Sequence, residues 1–83
     1  MYNPNPEFSR CISIRLMTLY VADKYHISFN EAFIKFMQSK LYKDISVMLS
    51  PFVAAFPIGA LQEMYEAELR NDIEDYNAWL YNY

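Results

Sequence analysis

The sequence predicts an all-α fold: a small bundle of three main helices plus a short C-terminal helix, with an irregular apolar connector ahead of the third. Three stretches carry the prediction. Residues 28–41 open with Ser28, Phe29, Asn30 and Glu31 and place Phe29, Ala32, Phe33, Phe36, Met37 and Leu41 at helical spacing. Asn5, Pro6 and Glu7 read as a helix entry at the head of an apolar-rich segment that reaches Tyr25. After Phe56 and Pro57, the residues Ile58, Leu61, Met64, Tyr65 and Leu69 recur on one side of a third helix.

The 83 residues leave room for one domain, 1–83, with residues 1–5 as a loose N-terminal arm. The first helix carries Phe8, Ile12, Leu16, Leu19 and Val21, flanked by Cys11, Met17 and Tyr20, over more than half of its circumference. A helix that apolar is central or contacts two layers. Cys11, the one cysteine, has no internal disulfide partner and is expected as a small buried residue of this helix. His26, the one histidine, falls in the short link 25–27, where a solvated or backbone-bonded side chain is expected rather than a ligand or base.

The second helix, 28–41, is the best specified. Ser28 caps the first free amides, Glu31 stands where a capping box needs it, and Ile27 and Ala32 stand where a hydrophobic staple would close. Burying its three phenylalanines and a methionine would contribute about 6 to 12 kcal/mol before entropy is subtracted. Residues 45–62 then run for 18 positions without a charge, yet Pro51, Pro57 and Gly59 argue against a membrane span. The connector 45–56 fits either two short extended pieces or a short helix ended by Pro51. Beyond the third helix, Asn71 and Asp72 bring cap chemistry. Ile73, Tyr76, Trp79 and Leu80 then form one face of a short fourth helix that must dock to persist.

Little in the chain suggests catalysis. A single glycine, Gly59, excludes a glycine-rich phosphate cradle, no Cys or His spacing fits zinc, and no cofactor is expected. The acids Glu63, Glu66, Glu68, Asp72, Glu74 and Asp75 read as solvent-facing charges, and no enzyme activity is expected of them. The expected function is a protein–protein interaction module in the cytoplasm, on the single cysteine and the lack of a secretory-type leader. With 54% apolar residues and 8 Tyr, 6 Phe and 1 Trp, a core this small does not hide everything, so a partner is expected, a second copy being the simplest. The candidate partner-binding residues are Tyr76, Trp79, Leu80, Tyr81 and Tyr83, aromatic anchors within an acidic rim. Charge divides along the chain: six Lys or Arg and three acids in 1–43 (+3), one Arg and seven acids in 44–83 (−6), a pattern able to orient a dimer or steer a charged partner.

The alternative function is a small DNA-binding regulator that uses the basic N-terminal half, with Arg10, Arg15, Lys24, Lys35, Lys40 and Lys43 as its contacts. Residues 12–16 followed by Ile27, Ser28 and Glu31 are similar to the strand and second-helix start of a ribbon-helix-helix repressor. Only 12 residues separate Arg15 from Ser28, fewer than that fold needs. A helix-turn-helix over 16–40 would present Phe33, Phe36 and Met37 where polar side chains must read bases. Nucleic acid and membrane are therefore both disfavoured as partners.

Across residues 8–69, Ile27, Ser28, Glu31, Ala32, Phe33, Phe36, Ser39, Lys40 and Tyr42, then Pro57, Leu61, Tyr65 and Glu68, give the chain a further resemblance. It resembles a group of short all-helical bacterial proteins of unassigned function, found near toxin-like genes that include an ADP-ribosyltransferase relative. The resemblance implies an accessory or antitoxin-like role and transfers no functional residues.

Overall fold

A computed structural model describes residues 6–46, Val53 and 56–81. The expected arm, 1–5, and most of the apolar connector lie outside the described residues, as does Tyr83. The described residues form an all-α bundle of five helices: α1 (Pro6–Tyr25), α2 (Phe29–Met37), α3 (Lys40–Ser46), α4 (Ile58–Leu69) and α5 (Ile73–Tyr81). Helix α1 packs against α2, α3 and α4, while α5 docks on α4.

Local chemistry sets most helix ends. His26 takes a left-handed φ of 55°, and the Ile27 N–H donates to the Ala22 carbonyl at 3.1 Å, closing α1 with a Schellman turn. Histidine is among the non-glycine residues that tolerate this region, so the exposed His26 serves as the turn residue of the α1–α2 hairpin. Ser28 then accepts the Glu31 N–H at 3.2 Å, the cap read from the sequence. Ser28→Ala should cost about 0.5 to 2 kcal/mol, measured as a lower melting temperature; an unchanged midpoint would mean that this cap contributes nothing. Asn71 repeats the turn at the end of α4, with φ 56° and the Asp72 N–H on the Ala67 carbonyl at 2.9 Å. Asp72 next caps α5, its Oδ1 accepting the Asp75 N–H at 3.1 Å.

The expected single helix over 28–41 is instead two. Helix α2 ends at Met37, and Ser39 starts α3: its hydroxyl donates to the Phe36 carbonyl at 2.6 Å and accepts the Tyr42 N–H at 3.0 Å. The remaining free amides of α3, those of Lys40 and Leu41, donate to the Glu68 carboxylate of α4 at 2.8 and 3.1 Å. An acid from 28 positions away thus completes the cap and stabilises the break. Re-aiming the chain here keeps Leu41 and Ile45 inside. Of the connector, residues 45–46 belong to α3, and Val53 and Phe56 are buried.

The core joins Met17 and Val21 of α1, Ala32 and Phe36 of α2, Leu41 and Ile45 of α3, and Ala60, Leu61, Met64, Tyr65 and Ala67 of α4 to Tyr76 of α5. Phe36 lies at its centre, 5.9 Å from the Tyr65 ring and 5.8 Å, edge-on, from that of Tyr42. Phe33 is half-buried, and Phe29 and Met37, expected inside, are exposed. Leu69 and Ile73 are likewise exposed rather than packed on their expected faces.

Helix α1 departs furthest from the face its sequence predicts. Its buried side is Arg10, Ser13, Met17, Thr18 and Val21, whereas Ile12, Leu16 and Leu19, expected in the core, are exposed, as is Cys11. The polar members of the buried side are satisfied. Arg10 Nε donates to the Ile45 carbonyl at 3.2 Å, and the Thr18 hydroxyl to the Ile14 carbonyl one turn back at 2.7 Å. The apolar residues of α1 are spread round the cylinder, and the described helices α2, α3 and α4 cover one side of it.

Candidate interaction surface

Ile12, Leu16 and Leu19 follow one another at steps of four and three, so they share one stripe of α1. They are 42, 41 and 46% exposed. Beside this stripe a groove of about 360 Å³ runs between α1 and α2, lined by Cys11, Ile14, Arg15 and Thr18 from one helix and by Phe29 and Phe33 from the other. Helical spacing dictates that lining: Ile14 and Thr18, and Phe29 and Phe33, are each four apart and stack on one face. Met37, four residues on from Phe33, is also exposed. The Schellman turn at His26 sets α2 against α1 and so builds the groove. Ridge and groove together form an apolar surface whose cation, Arg15, has no ion-pair partner among the described residues.

Of the C-terminal residues expected to bind a partner, the four that are described, Tyr76, Trp79, Leu80 and Tyr81, do not form one exposed cluster. Tyr76 is buried, its phenol donates to Asp44 Oδ2, and Lys40 Nζ sits 4.7 Å from the centre of its ring. Burial, aided by the Asp44 bond, pushes that phenol far above the ordinary tyrosine range. Trp79 and Leu80 are half-buried against the core, and Tyr81 stands 77% exposed. Tyr65 of α4 is also inside. A second hollow, of about 220 Å³, lies under Tyr76 and is lined by Lys40, Glu68 and Asp72, whose charged groups already bond within the chain.

The opposed charges of the two halves also meet inside one molecule. Glu66 accepts from the Tyr20 phenol at 2.6 Å and from Lys24 at 3.0 Å. The Tyr20 bond, reinforced by Lys24 and working against partial burial, holds the Glu66 carboxyl below its usual range, while burial and that same bond push Tyr20 up to about 12. Lys40 pairs with Asp44 at 3.0 Å, and Lys35 caps the Tyr25 ring at 4.6 Å. Of the six basic side chains of the first half, Arg15 and Lys43 are the exposed pair for which no such contact occurs among the described residues.

Among the described residues no three His, Cys, Asp or Glu side chains converge as metal ligands, and no helix is long and apolar enough to cross a membrane. The outer face of α1 was nonetheless signalled in the sequence. Apolar residues over more than half of a helix call for two covering layers, and the described helices supply one. Comparison with protein-family models, with curated proteins and with solved structures finds no match in any of the three.

Proposed function

We propose that the chain is a non-enzymatic protein–protein interaction module that binds through the outer face of α1 and the adjoining α1–α2 groove. The observation that carries this reading is the exposure of Ile12, Leu16 and Leu19 in one stripe, beside a groove whose lining is almost wholly apolar. Contiguous apolar surface of this kind on a small domain marks a docking site, and a ridge beside a groove suits a helix laid along it. An accessory or antitoxin-like role in the cytoplasm fits a module of this kind.

The DNA-binding alternative draws less support. Arg10 points inward to the Ile45 carbonyl, and Lys24 and Lys40 are neutralised by Glu66 and Asp44, so too few free cations remain to neutralise a run of phosphates. The test is capture from the native cell with tagged wild type and a Leu16→Glu variant of matched melting temperature. Wild type should retain a defined protein in fixed ratio and the variant should lose it. The same proteins retained by both would overturn the assignment, and tight, salt-sensitive binding to duplex DNA would favour the regulator.

A further inference from the structure

The outer face of α1 carries two more exposed side chains, Arg15 and Asp23, neither with an ion-pair partner among the described residues. They lie four residues before and four after Leu19, so Arg15, Leu19 and Asp23 form one i, i+4, i+8 ridge. Its charges are of opposite sign, each about 6 Å along the axis from Leu19. Ile12 and Leu16 form the neighbouring ridge. This pattern is self-complementary. When two copies of a helix cross with their i±4 ridges interdigitated, at about −50°, and the two-fold axis passes at Leu19, each ridge runs antiparallel to its mate. Arg15 of one copy then faces Asp23 of the other, twice, around a Leu19–Leu19 centre, while Leu16 packs near Ala22 and Ile12 reaches toward the His26 turn and Phe29.

We propose that the occupant of this surface is a second copy of the chain, its α1 crossing the first at Leu19 and held by two reciprocal Arg15–Asp23 ion pairs; this rests on reading the surface as a protein-binding one. The area is of the right scale. Ile12, Leu16, Leu19 and Phe29, each 41 to 46% exposed, offer on the order of 350 Å² between them. The exposed Cys11, Arg15, Asp23 and His26 around them bring the patch toward the about 800 Å² per partner that a standard interface buries. Interfaces of two-fold dimers need one patch that complements itself, which a ridge with one charge of each sign about its centre provides and a uniformly charged one does not.

The experiment is a charge swap read by sedimentation or light scattering across a concentration series. Arg15 and Asp23 are exposed, so Arg15→Glu and Asp23→Arg leave the fold intact, which circular dichroism verifies. Each alone turns two attractions into two repulsions and should weaken association by roughly tenfold or more, an effect that grows at low salt. An equimolar mixture of the two single variants restores both pairs, and so does the double variant with itself; both should associate as the wild type does. The reaction of Cys11 with a thiol reagent gives a second readout and should slow as the protein is concentrated.

A wild type that stays monomeric at every concentration overturns the second-copy assignment. In that case the Leu16→Glu capture still reports on the interaction reading. Association unaffected by either single reversal, or not restored in the mixture, overturns the Leu19 crossing.

Discussion

Phe36→Ala should destabilise the protein by about 3 to 5 kcal/mol, a large part of the about 4 to 12 kcal/mol expected for a domain of this length. Phe36 is wholly buried where α2, α3 and α4 meet, with the rings of Tyr42 and Tyr65 packed at 5.8 and 5.9 Å from its own. Removing the ring leaves a cavity that none of these helices can close without breaking a cap. Glu68 ties α3 to α4, and Ser39 ties α3 to the end of α2. The same substitution at Phe33 should cost clearly less, because Phe33 is half-buried at the wall of the groove. Urea unfolding of both variants measures the difference. Equal losses would mean that the groove is closed in solution, and a Phe36→Ala variant as stable as wild type would contradict the core described above.

Deletion of residues 72–83 should unfold the chain rather than trim it. The segment contains Asp72, which caps α5, and Tyr76, which is fully buried and donates its phenol proton to Asp44. Loss of one buried aromatic is worth about 3 to 5 kcal/mol, and the deletion also uncovers the part of the core against which Trp79 and Leu80 pack. Tyr76→Phe is the graded control. It keeps the ring and strips a charge-assisted bond from Asp44, which keeps Lys40 as a partner, so it should cost about 1 to 3 kcal/mol with the fold retained. Circular dichroism of the deletion reads the outcome. A folded, smaller species would mean that α5 is an appendage and would favour the C-terminal aromatics as the binding surface.

Sequence reasoning reached the helical class, the start of α2 at Ser28, the ends of α1 near Tyr25 and of α4 near Asn71, and the separate C-terminal helix. These are matters of residues three to five apart: a hydroxyl meeting an amide one turn on, or a residue that accepts a left-handed φ. Such signals travel with the local chain and survive whatever packs on it. It also held the excess of apolar residues on α1, which only a second layer could cover.

Three features depended on groups distant in the chain. The break at Ser39 needed Glu68 to take the Lys40 and Leu41 amides, since the apolar spacing runs through 36–41 without interruption. The buried side of α1 turned on where α2, α3 and α4 sit. Hydrophobicity along α1 is spread so widely that Met17 and Val21 went inside with Arg10, Ser13 and Thr18, leaving the aliphatic Ile12, Leu16 and Leu19 outside. Tyr76 became core rather than surface because Asp44, 32 residues earlier, accepts its phenol, and an aromatic with a polar tip is equally suited to an interface or an interior until the partner for that tip is in place. Periodicity states that a helix has a face to cover, and the tertiary arrangement alone decides which face is covered, because that depends on the position of the other helices and not on the order of residues within this one.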